Sequence, residues 1–188
     1  MKSQNQKNKE EKALTKTLLR YEGKRISLFS LLFTWEDGSE SAHEIVKHPG
    51  AVAILPIDKE GNLIFIQQWR RATEEILIEI PAGTLEPPEP PKDCAIRESQ
   101  EEIGFKPRSL IPLGGFFTAP GFCNEFIHLF LAQDLEVSHL KAEDTDGIDI
   151  LTVSLSEALT WALNGKIRDS KTLSALFLYQ LWHSQSKR

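Results

Sequence analysis

Residues 83–105 read GTLEPPEPPKDCAIRESQEEIGF, and this stretch decides the fold. Prolines at 87, 88, 90 and 91 exclude regular helix in its first half. Pro91 suits a helix start, where a missing N–H costs nothing. From Lys92 to Ile103 the pattern is helical, and Gly104 supplies a C-terminal stop. On that helix Glu98, Glu101 and Glu102 stand three and four residues apart and share one face. Taken alone, such a cluster is usually a solvated acidic surface. Here it follows a strand and the turn Pro81-Ala82-Gly83, where backbone carbonyls also point at the site. Three carboxylates and a carbonyl are hard oxygen ligands, the set that suits Mg²⁺ or Mn²⁺. Mg²⁺ keeps several waters and is completed by substrate phosphates, which a one-sided helix face permits.

Outward from the helix, short apolar runs predict strands. Residues 51–57 (AVAILPI) follow the break at Pro49-Gly50, and residues 63–69 and 76–80 flank the loop before the helix. Further strands are expected at 109–117, 125–132 and 148–153. Ser154 with Glu157 resembles a capping box ahead of a helix at 158–163, and a last helix covers 170–183. Upstream, residues 18–35 alternate apolar side chains. Asp37-Gly38 is a strong hairpin signal, and a strand at 41–47 completes a small antiparallel sheet. The polar start, residues 1–13, reads as disordered. The expected fold class is α/β (α+β), one mixed β-sheet sandwiched by helices. Its domain plan is a disordered 1–13, an N-terminal sheet at 14–49, and a main domain at 50–188.

The 188 residues fit one domain with a small appendage. A formal net charge of −5 argues against a nucleic-acid partner, which needs clustered Lys and Arg. It permits a nucleotide substrate, because a metal offsets the repulsion between carboxylates and phosphates. No apolar run reaches the ~18 residues of a membrane span. Cys94 and Cys123 have no metal-ligand spacing and read as free thiols in a reducing, cytoplasmic protein.

Gly83, Glu89, Arg97, Glu98, Glu101, Glu102 and Gly104 match all seven fixed positions of a 23-residue motif, and the stretch resembles the Nudix box. Ser99 stands where relatives are usually aliphatic, and Pro88 where many have Gly. The resemblance implies a Mg²⁺-dependent hydrolase, with Mn²⁺ as a substitute, that splits a nucleoside diphosphate linked to another moiety. It implies that Glu98 and Glu102 are the main metal ligands, with Glu101 sharing and the Ala82 carbonyl added. Arg97 would pair with Glu89 in a bidentate geometry that Lys does not reproduce.

The flanks resemble the ADP-ribose pyrophosphatase branch. Gln67-Gln68-Trp69-Arg70 with Glu79-Ile80-Pro81-Ala82-Gly83, Pro120 fifteen residues past Phe105, and Ala119-Pro120-Gly121-Phe122-Cys123-Asn124-Glu125 carry the likeness. It covers about residues 18–181. By this resemblance Arg70 contacts substrate phosphates, Glu79 helps hold the ribose or the metal-site loop, and His43, Pro120 and Glu125 line the substrate site. The N-terminal sheet would swap across a homodimer. Arg25 and His43 stand where some relatives place tryptophans that stack on adenine, and Trp35 reads as core or interface. The catalytic base would be Asp146, with Glu143 and Asp144 beside it on an acidic loop; a solvated loop is the bland alternative. The expected reaction converts ADP-ribose to AMP and ribose 5-phosphate. GDP-mannose or a broader set of nucleotide sugars is the first rival, and a non-catalytic nucleotide-binding module the second. A module of that kind would be expected to lose box carboxylates, and all are present.

Overall fold

A computed structural model describes residues 2–142 and 147–186. The chain forms two compact units, Met1–Pro49 with Phe117–Glu125, and Gly50–Phe116 with Phe126–Arg188.

In the first unit, helix α1 (Lys2–Ala13) leads into β1 (Leu14–Glu22), β2 (Ser27–Thr34) and β3 (Glu40–Lys47). The strands form an antiparallel sheet in the order β1-β2-β3. The β2–β3 hairpin turns at Asp37-Gly38. The Asp37 carboxylate accepts from the Ser39 N–H and hydroxyl, and Gly38 takes φ +80°. The expected disorder of residues 1–13 gives way to a helix. Its Lys, Glu and Gln lose little rotamer freedom in a helix, and Lys7–Glu11, Gln4–Asn8 and Gln6–Glu10 pair at i,i+4. Residues 117–125 return to this unit: the Val46 N–H donates to the Phe122 carbonyl, and the Asn124 N–H to that of Val46.

The second unit holds two sheets where one was expected. The first, ordered β7-β4-β9-β8, is mixed. It comprises β4 (Ala51–Pro56), β7 (Ala82–Thr84), β8 (Phe105–Phe117) and β9 (Phe126–Val137). Strands β4 and β9 run parallel, and β4 and β7 antiparallel. The second sheet places β5 (Leu63–Arg70) between β10 (Asp149–Val153) and β6 (Glu75–Glu79), all antiparallel. Two sheets arise because β4 and β5, near neighbours in sequence, pair with different partners.

Every residue of β4 is buried, which is why its sequence is continuously apolar rather than alternating. Ala51, Ala53 and Leu55 face a core shared with Leu63, Phe65, Ile80, Leu129 and Leu131, against α3 (Leu155–Leu163) and α4 (Ser170–Ser186). Val52 and Ile54 face the opposite way, onto Cys94 and Ala95 of α2 (Pro91–Glu102). The mixed sheet is therefore covered by helices on both faces, as the fold class predicts. Ser154 caps α3 by accepting from the Glu157 N–H. Among the described residues no helix is long and apolar enough to cross a membrane.

Candidate active site

Helix α2 packs Cys94, Ala95 and Ser99 against the sheet at zero exposure, and the adjoining face carries the acidic residues. Glu98 is itself buried. Its carboxylate lies against the backbone of Gly83 in β7: a Cβ there would stand 1.8 Å from Oε1 and 1.9 Å from Cδ. Gly83 is thus demanded by a close approach, not only by a turn. Glu102 reaches the next residue back, its Oε2 accepting from the Ala82 N–H at 2.9 Å. This strand–helix contact sets Glu102 beside Ala82 and Glu98 beside Gly83, and Glu101 is tied to the same helix face through Arg97.

Arg97 organises the loop end. Its Nε and Nη2 donate to the two oxygens of Glu89 at 2.9 and 3.0 Å, the expected bidentate pair. Its Nη1 also bridges Glu98 Oε1 at 2.6 Å and Glu101 Oε2 at 3.0 Å. The hydrogen bond from Arg97 holds the Glu89 carboxyl below its ordinary range, and the same bond raises the guanidinium. With Arg97 between them, the acidic side chains share a face without converging: among the described residues no three carboxylate, imidazole or thiol groups lie at metal-ligand spacing.

The electrostatics fit a divalent cation. Burial raises Glu98 despite the charge of Arg97 beside it. Burial likewise pushes Glu102 up to about 8, against the opposing Ala82 hydrogen bond and with the Glu98 charge adding to it. Two oxygen donors raised by burial, Glu98 cradled on glycine and paired with Arg97, form a set that a hard dication can satisfy.

Arg70 and Glu79 lie on the paired strands β5 and β6, Arg70 in register with Glu75 and Glu79 with Ile66, and their side chains meet along the pair. Arg70 Nε and Nη2 donate to Glu79 Oε1 and Oε2 at 2.7 and 2.6 Å. Glu79 is 1% exposed whereas the Arg70 side chain is 40% exposed, so the clamp has a buried foot and an open head. Burial works to raise Glu79, but the Arg70 hydrogen bonds and the Lys171 charge outweigh it, and its pKa falls. Lys171 and Asp169 escape the sequence reading. Lys171 Nζ donates to Glu79 and pairs with Asp169 at 3.0 Å. The Thr172 hydroxyl donates to Asp169 at 2.6 Å and accepts from the Ile80 N–H at 2.9 Å. The signal available was Asp169 three residues before Thr172 at the start of the last helix, the spacing of an N-cap.

The other expected substrate residues lie in the first unit. His43 is exposed on β3 and meets the Phe33 ring edge-on at 5.5 Å. Trp35 stacks on Phe33 at 5.7 Å and donates its indole N–H to the Ser41 hydroxyl. Pro120 is exposed in a turn closed by the Cys123 N–H on the Ala119 carbonyl. Glu125 accepts from the Thr118 hydroxyl at 2.8 Å and lies 3.6 Å from His48 Nδ1. The expected base Asp146, with Glu143 and Asp144, lies outside the described residues.

A family model described as the NUDIX domain matches residues 47–176, and the chain belongs to that family. It is 38% identical over 177 residues to an ADP-ribose pyrophosphatase of Bacillus subtilis (strain 168), covering 93% of this chain and 95% of that one. It is 39% identical over 147 residues to a methanol dehydrogenase activator of Bacillus methanolicus, covering 77% and 80%. The fold matches a crystal structure of an ADP compounds hydrolase at TM-score 0.82 and 22% identity, over 92% of this chain and 94% of that one.

Proposed function

We propose that the protein hydrolyses the pyrophosphate bond of a nucleoside diphosphate sugar, with ADP-ribose as the substrate and AMP and ribose 5-phosphate as products. The observation that carries this is the pair of desolvated carboxylates, Glu98 and Glu102, held over the Ala82-Gly83 backbone. The full-length likeness to an ADP-ribose pyrophosphatase supports the choice of substrate.

Glu98, Glu101, Glu102 and the Ala82 carbonyl would hold Mg²⁺, with Mn²⁺ as a substitute. The bound cations would offset charge on the diphosphate and lower the pKa of a coordinated water. Arg70, fixed by Glu79, offers its exposed edge to the substrate phosphates. Asp146 takes the proton from the attacking water, one P–O bond forms and the bridging P–O bond breaks. Glu79 helps hold the ribose or the metal-site loop, and His43, Pro120 and Glu125 are further substrate contacts in this reading. A homodimer through the N-terminal sheet is supported by Leu19 and Tyr21 of β1, 51% and 59% exposed. The free thiols Cys94 and Cys123 suit the reducing cytoplasm, where nucleotide sugars occur.

The test is a substrate panel of ADP-ribose, GDP-mannose and other nucleotide sugars, coupled to phosphatase, with and without Mg²⁺. Metal-dependent phosphate release strongest from ADP-ribose supports the reading. Preference for GDP-mannose overturns the substrate, and no release from any compound overturns the hydrolase.

A further inference from the structure

Four consecutive residues before the acidic helix are each held by a different group. The Glu79 carboxylate takes hydrogen bonds from Arg70 and Lys171. The Ile80 N–H donates to the Thr172 hydroxyl, the Pro81 carbonyl accepts from the Ile54 N–H, and the Ala82 N–H donates to Glu102. Two of these four holds come from the first turn of α4, 92 residues away in sequence. That turn is itself fixed: Asp169 accepts from the Thr172 N–H and hydroxyl and pairs with Lys171.

Lys171 is 7% exposed and Thr172 0% exposed, so neither is a solvated surface residue. A lysine seldom takes such a place unless its charge is answered. Here the four charges balance, Arg70 and Lys171 against Glu79 and Asp169. Without the ammonium, the buried Glu79 would keep, among the described residues, only Arg70 as its cationic partner. The guanidinium, which already grips Glu79 through Nε and Nη2, would then answer the buried charge alone, and its open edge would be held less well for solvent-side ligands.

We propose that Lys171, braced by Asp169 and Thr172, is a positioning residue that sets the Arg70 guanidinium for the diphosphate by neutralising Glu79. The assignment rests on the proposed hydrolysis of a nucleoside diphosphate sugar, because the diphosphate is what Arg70 is held to receive. Lys171 touches neither the substrate nor a metal in this account, and acts only through Glu79.

The test compares Lys171→Met and Lys171→Arg with the wild type in two readouts. Steady-state kinetics on ADP-ribose should give Lys171→Met a KM about tenfold higher, with kcat within threefold, the split expected when ground-state binding is lost. Lys171→Arg should recover most of that loss. Adding Arg70→Ala to Lys171→Met should raise KM less than it does in the wild type, because the clamp is already misplaced. The second readout needs no turnover: the Arg70 side-chain Nε–H resonance, assigned by its absence in Arg70→Ala, should be slow to exchange in the wild type and broadened or shifted in Lys171→Met. If Lys171→Met does not fold, Lys171→Gln, which keeps a donor to Glu79 without the charge, carries the same two measurements. An unchanged KM and an unchanged Arg70 resonance in a folded variant overturn the proposal, as does a fully additive effect of Arg70→Ala. Should the wild type hydrolyse no nucleotide sugar, the functional reading fails, and the resonance alone decides whether Lys171 sets Arg70.

Discussion

Replacing Glu102 by Gln should make the protein more stable at alkaline pH without divalent metal while removing most of its activity. Burial pushes the Glu102 carboxyl from its ordinary 4.5 up to about 8. The folded state then binds a proton that the unfolded chain has released. By linkage this contribution to stability is complete below pH 4.5 and is lost as pH rises through about 8. At ~1.36 kcal/mol for each pH unit, the ceiling is about 5 kcal/mol. Glu102 is only partly buried, so solvent screening brings the expected difference to about 1–3 kcal/mol. Glutamine has no charge to desolvate and keeps an oxygen for the Ala82 N–H. Urea denaturation in chelator should therefore show the variant level with the wild type at pH 5 and more stable by that amount at pH 9. Mg²⁺ should then stabilise the wild type more than the variant, since only a bound ligand adds folding free energy. Turnover should fall by about 10²–10³. A stability difference that stays flat from pH 5 to 9, or equal stabilisation of both proteins by Mg²⁺, would refute the reasoning.

Three further outcomes are expected. Gly83→Ala forces the Glu98 carboxylate aside, since the new Cβ would sit 1.8 Å from Oε1; kcat should fall about 10²-fold, as for a misplacement near 1 Å, and an unchanged kcat would separate Glu98 from the chemistry. Arg97→Lys loses the fork that joins Glu89, Glu98 and Glu101, and the urea midpoint should report a loss of about 1–3 kcal/mol. Asp146→Asn should lower kcat at least tenfold with KM little altered; a smaller change would shift the base to Glu143 or Asp144.

Much of the second unit was legible because its signals are local. The acidic residues of α2 recur at helical spacing, Pro91 and Gly104 mark its ends, and the apolar run of β4 announces a strand buried on both faces. Arg97 with Glu89 was legible only through the resemblance to the Nudix box. What escaped is non-local. Lys171 and Thr172 acquire their meaning only when α4 meets residues 79 and 80, and nothing near them in sequence announces a buried carboxylate. Glu79 held half of the clue, since a charged residue in an apolar strand requires a counter-charge. The return of residues 117–125 to the first unit rests on backbone hydrogen bonds to Val46, which leave no mark in side-chain pattern. Helix α1 was misread because a polar, mixed-charge segment looks disordered by composition. Its residue types still favour helix once i,i+4 pairs form.

The central claim is tested most directly by locating the cation. A crystal soaked in Mn²⁺ with a non-hydrolysable ADP-ribose analogue should give anomalous density beside Glu98, Glu101 and Glu102, bridging to the diphosphate. Density elsewhere, or none while the analogue is bound, would contradict the account.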